Sequence, residues 1–275
     1  MIVAGIDVGG TNVQVVVVED GKILAKADGP AGIKKADAAE RIYDEALKQA
    51  NLKRKDVACV VSTGGASDRV RFRDGAISDA AADARGVHQL IPSARTVLDV
   101  GGEEARAIKI DADGRVLDFA MNEKCAAGTG TFVDTMARAL EITVEEMGQL
   151  SLNSTTSISI NAQCAVFGES EVVSLIHQKV PKQDIAHAVH DAIAGRIGSL
   201  ARIVGVEEDV VLIGGVGRNL GLLGCLKEDL GVDVKVPEDP DYVGALGAAA
   251  AGVAEGMTED SAVEKQAISE GEGYK

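Results

Sequence analysis

The chain writes one turn twice. Ile6-Asp7-Val8-Gly9-Gly10 near the start returns as Leu98-Asp99-Val100-Gly101-Gly102. Each copy follows an apolar run, precedes another, and reaches an acidic-Gly turn: Asp20-Gly21 in the first copy and Asp113-Gly114 in the second. A strand, a Gly-Gly turn and a second strand, repeated in both halves, restrict the fold to two related lobes facing each other. A single copy would read as an ordinary hairpin turn. Two copies in equivalent places ask for a shared ligand.

Phosphate with a metal ion suits such a pair. Backbone N–H groups can approach a phosphate only where side chains are absent, which Gly9-Gly10 and Gly101-Gly102 provide. Asp7 and Asp99 end their strands beside those turns, where a carboxylate can hold Mg²⁺ directly or through water. Thr11 and Asn12 offer further phosphate contacts. A third cluster, Gly214-Gly215-Val216-Gly217, follows an apolar run and would let an adenosine lie against bare backbone. It is not a dinucleotide fingerprint, because position 220 is leucine and the cluster comes late in the chain.

Residues 2–7, 13–18 and 57–61 read as strands, with 22–27 closing a hairpin at Asp20-Gly21. Residues 36–50 read as a helix, and 66–90 show no clear period. In the second half 97–99, 105–110, 115–122 and 209–213 read as strands. Residues 128–140, 167–180, 185–204 and 242–254 read as helices, with Asn219 a candidate cap for a further one. The alternation predicts an α/β architecture. The expected division is a first lobe of 1–95 with a returning helix 242–256, a second lobe of 96–241, and an acidic tail, 257–275.

Composition removes several functions. The net charge is −15 and the isoelectric point about 4.7, so no basic face is available for nucleic acid. Aromatics are 3% with no Trp, leaving no stacking platform for single strands. No apolar run approaches the ~20 residues of a membrane span and no basic-then-apolar leader precedes the first strand, so a cytoplasmic location is expected.

Of four cysteines, Cys59 in a strand and Cys225 in an apolar helix read as core residues. Cys125 and Cys164 each stand just ahead of a predicted helix. Free N–H groups there favour an anion, so these two are candidate thiolate ligands or nucleophiles. His187 and His190, three apart on one helix, lack a further ligand and are not read as a metal pair.

The three glycine clusters resemble the phosphate-1, phosphate-2 and adenosine elements of the actin / sugar-kinase / heat-shock-70 ATPase superfamily, whose two ribonuclease H-like lobes hold ATP and Mg²⁺ between them. A narrower resemblance lies in Lys124-Cys125-Ala126-Ala127-Gly128-Thr129-Gly130 and Asn161-Ala162-Gln163-Cys164-Ala165-Val166-Phe167. Both stretches look like signatures of the 2-hydroxyacyl-CoA dehydratase activator / benzoyl-CoA reductase ATPase family. That resemblance implies one 4Fe–4S cluster held by Cys125, Cys164 and their counterparts in a second, identical or homologous subunit. It further implies a ferredoxin-like donor and a partner that uses low-potential electrons. Gly128, Thr129 and Gly130 would then open a helix whose N–H groups face a nucleotide phosphate, coupling ATP to the cluster.

The chain departs from activators at three places. Glu103-Glu104-Ala105-Arg106 stands where Gln-Asp usually follows the second Gly-Gly, Gly65-Ala66 stands where Tyr-Gly is common, and Ala82-Asp83-Ala84-Arg85-Gly86 replaces a Cys-His pair. The acidic pair points to an ATPase subunit of benzoyl-CoA reductase, passing electrons to subunits that reduce an aromatic acyl-CoA. The alternatives are a homodimeric dehydratase activator, a small-molecule kinase, and a non-hydrolysing scaffold. Glu103 would orient or deprotonate the attacking water, or repel the phosphate and slow hydrolysis.

Overall fold

A computed structural model describes residues 1–122, 128–160 and 164–255. The first half begins with a meander: β1 (Ile2–Val8), β2 (Asn12–Glu19) and β3 (Lys22–Pro30). Its tight turn puts Asp20 and Gly21 at φ +49° and +80°, the backbone that acidic-Gly hairpins favour. α1 (Lys35–Gln49) lays Ala39, Ile42, Tyr43, Ala46 and Leu47 against this sheet. β4 (Cys59–Thr63) returns parallel to β1, and β5 (Gly75–Ala76) pairs with β4. α2 (Asp79–Leu90) follows.

The second half repeats the plan. β6 (Thr96–Val100), β7 (Ala105–Ile110) and β8 (Val116–Asn122) form its meander. Then come α3 (Gly130–Ala139), α4 (Val144–Ser151), α5 (Ala165–His177) and α6 (Lys182–Val204). β9 (Val210–Ile213) pairs parallel with β6; α7 (Leu220–Leu230), β10 (Val234–Lys235) and α8 (Val243–Glu255) finish the described chain. The strand orders are β3-β2-β1-β4-β5 and β10-β9-β6-β7-β8. Taken from its opposite edge, the second sheet has the connectivity of the first, so the written repeat is a repeated fold.

α2 and α8 lie between the halves. α8 packs Ala245, Leu246 and Ala249 on the first sheet, while its Val243 joins Ala84 and Val87 of α2 against the second. This explains why 66–90 shows no period. α2 is covered on several sides, so Ala82, Ala84 and Val87 are all buried and no single apolar stripe forms. α4 was absent from the expected elements, although its capping box is written in the chain. Thr143 Oγ1 accepts from the Glu146 N–H at 3.1 Å, and Glu146 accepts from the Thr143 N–H at 2.8 Å. Asn219 does cap α7, accepting from the Leu222 N–H at 3.1 Å. Among the described residues no helix is long and apolar enough to cross a membrane. The expected acidic tail and Cys125 lie outside the described residues.

Candidate functional site

Each repeat ends its first strand in the same closed turn. The Gly9 N–H donates to the Asn12 carbonyl and the Gly101 N–H to the Glu104 carbonyl, both at 2.9 Å. The two turns face each other across a cleft of about 990 Å³. They also interdigitate. A side chain on Gly10 would collide with the Glu103 carboxylate, and one on Gly102 would meet Thr11 Oγ1 at 2.7 Å. The residue after each Gly-Gly therefore rests on the second glycine of the other. Lys35, at the start of α1, donates to the Gly9 carbonyl at 3.1 Å and brings a positive charge to this wall. The far end of the cleft is walled by Gly214, Gly215 and Val216 after β9, by Gly148 of α4, and by Arg218 and Asn219.

The cleft floor concentrates charge. Arg106 on β7 donates to Asp99 at 2.7 Å and to Asp79 at 2.6 Å, and also pairs with Glu104. Asp79 opens α2 and simultaneously accepts from the Gly64 N–H at 2.7 Å and Thr63 Oγ1 at 3.2 Å. Burial opposes the charge on Arg106, but Asp99, Asp79, Asp83 and Glu104 outweigh it and raise its pKa. Asp7 has no such cation bonded to it. Burial, then the charges of Asp79 and Asp99, push its carboxyl up to about 7. Asp83 is 5% exposed, its Oδ2 has no hydrogen-bond partner, and burial with the Asp99 charge holds its pKa well above the usual range. Asp99 is also raised, by burial against the pull of Arg106. This floor carries more negative charge than Arg106 offsets. Among the described residues, no three His, Cys, Asp or Glu side chains converge to hold a metal unaided. A cation here would need ligand oxygens or water besides the carboxylates, as Mg²⁺ commonly does.

Of the sequence-derived residues, the cleft gathers Asp7, Gly9, Gly10, Thr11 and Asn12 from one side. From the other it gathers Asp99, Gly101, Gly102, Glu103, Gly130, Gly214 and Gly215. Gly128, Thr129 and Gly217 are not among its lining; Gly217 is buried against Pro240. The start of α3 also differs from expectation. Its Gly130 and Thr131 N–H groups donate to the carbonyls of Gly101 and Gly102, at 2.9 and 2.8 Å, so they serve the second turn rather than face a ligand. Cys164 is half-buried at the N-cap of α5, as its place before a helix predicted. Cys59 opens β4, and Cys225 is 3% exposed with its thiol pushed by burial up to about 12. Sequence reasoning missed Arg106, Asp79, Asp83, Glu104 and Lys35. Glu104 and Arg106 carried a signal in their place at and just after the second Gly-Gly turn, and Asp83 in the departure at Ala82-Asp83-Ala84-Arg85-Gly86.

The family model of the BadF/BadG/BcrA/BcrD ATPases matches residues 4–252. The chain belongs to this ATPase family. Within it, the (R)-2-hydroxyglutaryl-CoA dehydratase activating ATPase of Acidaminococcus fermentans is 39% identical over 247 residues, 89% of this chain and 94% of that one. The activator of the 2-hydroxyisocaproyl-CoA dehydratase from Clostridium difficile, solved with bound ADPNP, superposes with a TM-score of 0.88 at 35% identity, covering 100% of both chains. One of the subunits of benzoyl-CoA reductase from Thauera aromatica is 35% identical over 260 residues, 90% of this chain and 92% of that one. A glucokinase of the ROK family from Streptomyces griseus shares the fold alone, with a TM-score of 0.59 at 14% identity.

These likenesses favour the dehydratase activators over the benzoyl-CoA reductase ATPase expected from Glu103-Glu104. Glu104 is taken up by Arg106 as a counter-ion, leaving only Glu103 at the tip of the turn.

Proposed function

We propose that this BadF/BadG/BcrA/BcrD-family ATPase is the ATP-dependent activator of a 2-hydroxyacyl-CoA dehydratase, working as a homodimer that shares one 4Fe–4S cluster. The observation that carries this reading is the start of α5. Cys164 stands at the N-cap position of that helix, and Val166 and Phe167 immediately behind it are each 66% exposed. Two apolar side chains left open beside a half-buried thiol suit a surface covered by a second copy. The relatives named as dehydratase activators support the substrate class.

In the cleft, Gly9, Gly10, Gly101 and Gly102 would bind the nucleotide phosphates through bare backbone. Lys35 would add a positive charge beside the first turn. Asp7 fits Mg²⁺ best, because a cation would relieve a carboxylate that burial now disfavours as an anion. Asp99 would act with it while held by Arg106. Glu103, against Gly10, stands where it would orient water or oppose the phosphate charge. The nucleoside would lie at the Gly214-Gly215 end. Cys164 and Cys125 would hold the cluster with the same residues of a second subunit, and that group would supply one-electron transfer at low potential.

The test is anaerobic purification, alone and with a dehydratase component. The expected result is a dimer of this chain with about four iron atoms, which supports dehydration only with ATP and a reductant. Cys164→Ala and Cys125→Ala should each lose iron. Full iron content and an unchanged EPR signal in both variants would defeat the cluster assignment. A colourless wild type that phosphorylates a sugar would establish the kinase alternative.

A further inference from the structure

Beneath the Gly214-Gly215 end of the cleft, α6 brings His190 against Asn219, and the two side chains are 0% and 7% exposed. The Asn219 amide has a fixed sense. Its Oδ1 accepts from the Leu222 N–H as the cap of α7, so its Nδ2 faces His190 Nε2, 3.1 Å away. An amide nitrogen only donates. Nε2 must therefore accept, and the single ring proton must sit on Nδ1. Burial, and then the charge of His187, push the ring pKa down to about 3, so the neutral form is the one present. His190 Nδ1 and Ser151 Oγ are both buried without a hydrogen-bond partner. They crowd the same glycine: a Cβ on Gly221 would meet Nδ1 at 2.6 Å and the Ser151 Cβ at 2.8 Å. Ser151 and Gly221 also line a second cavity of about 340 Å³.

We infer that His190 is a positioning residue for the nucleotide, locking the Asn219 amide from behind at the nucleoside end of the cleft. The inference rests on reading the cleft as a nucleotide site. Asn219 lines that cleft, and its Oδ1 lies 2.9 Å from where a Cβ on Gly148 of α4 would sit. The amide thus sets the junction of α4, α6 and α7. One Nδ2 hydrogen and one Oδ1 lone pair remain beyond His190 and Leu222 for a ligand such as a ribose hydroxyl. A donor at position 190 would turn the amide over and put its nitrogen against the Leu222 N–H. The acceptor on His190 is what prevents this.

The experiment measures ADP affinity and ATP turnover for the full-length wild type and for His190→Leu, His190→Gln and Asn219→Asp. Long-range ¹H–¹⁵N spectra of the His190 ring accompany it. His190→Leu should weaken ADP binding by about tenfold, with turnover at saturating ATP changed by less than about twofold. His190→Gln, whose side-chain oxygen accepts, should restore most of the affinity. In the wild type the ring should carry its proton on Nδ1. Asn219→Asp keeps an N-cap oxygen but offers the ring an acceptor, and should move the proton to Nε2. A wild-type ring protonated on Nε2 would overturn the inference, and so would a folded His190→Leu that binds ADP normally. If His190→Leu does not fold, the spectra of the wild type and Asn219→Asp decide. A wild type that binds no ADP would sink the nucleotide reading of the cleft, and this inference with it.

Discussion

The Glu103 carboxylate fills the space that a side chain on Gly10 would need, so the tip of the second turn lies directly on the first. A triphosphate entering between the turns would meet that negative charge at close range. Glu103→Gln should therefore tighten ATP binding by about fivefold, the order expected for one screened like-charge contact near a surface. Its effect on turnover then separates two roles. A fall in kcat marks a group that orients water, and a rise marks one that restrains hydrolysis.

Asp7 sets a pH dependence of stability. Its carboxyl is raised from the ordinary 3.8 to about 7. Between those values the folded chain keeps a proton that the unfolded chain releases. This contribution is full below 3.8 and is lost as pH rises through about 7. In the nucleotide-free protein, the unfolding free energy of Asp7→Asn should gain on wild type from pH 5 up to about pH 7, by on the order of a few kcal/mol, and the difference should level off above it. A difference that stays flat between pH 5 and about pH 7 would contradict a half-buried carboxylate with no cation bonded to it.

Arg106 forks between Asp99 of the second half and Asp79 on α2. Removing it leaves those acids facing Asp7, Asp83 and Glu104 without their shared cation. Arg106→Met should lose on the order of 3–5 kcal/mol of stability, as when one partner of a buried pair is deleted. Arg106→Lys should fall between, because one ammonium nitrogen must serve the carboxylates that two separate guanidinium nitrogens reach in the wild type. The deficit should shrink at low pH, where the acids take up protons; thermal unfolding at pH 5 and pH 7 checks this.

Adjacent glycines in the third cluster should respond oppositely. Gly214 has φ +86°, and a Cβ there would strike the Val100 carbonyl and sit 2.7 Å from Asp99 Oδ1. Gly214→Ala should cost about 1–3 kcal/mol or more. At Gly215 a Cβ meets nothing within 4 Å. Gly215→Ala should unfold like wild type, and any loss it shows should appear only in nucleotide affinity.

The exposed apolar face of α5 predicts self-association. Phe167→Gln should leave the monomer folded, since the side chain is 66% exposed, while shifting the dimer toward monomer in sedimentation. A variant that dimerises as tightly as wild type would move the interface elsewhere.

Much of this fold was legible because the chain repeats itself. The Asp-Val-Gly-Gly pair announced both sheets, and both acidic-Gly turns fell where hairpins were expected. α2 was not legible, because a helix covered on several sides shows no stripe. Its Asp79 and Asp83 reach the cleft floor from a segment marked only by the departure at Ala82-Asp83-Ala84-Arg85-Gly86. Lys35 is a single lysine at a helix start, and its approach to the Gly9 carbonyl depends on how α1 docks. Glu104 and Arg106 were visible as a departure but were weighed as a family marker, when their alternation along β7 and the turn makes them counter-ions. His190 was set aside as half of an improbable metal pair. Its acceptor role emerges only once α6 and α7 are packed together.

The carbonyls of Gly101 and Gly102 hold the first N–H groups of α3, while the amides that follow them in the chain belong to the turn itself. A peptide unit is planar and rotates as one rigid plate. A ligand that re-aims the Gly102 or Glu103 N–H must swing the carbonyl on the opposite edge of the same plate. The helix then either follows that swing or gives up its starting bonds. Two amide planes thus form a lever with one arm in the cleft and the other on α3, so the two cannot adjust independently.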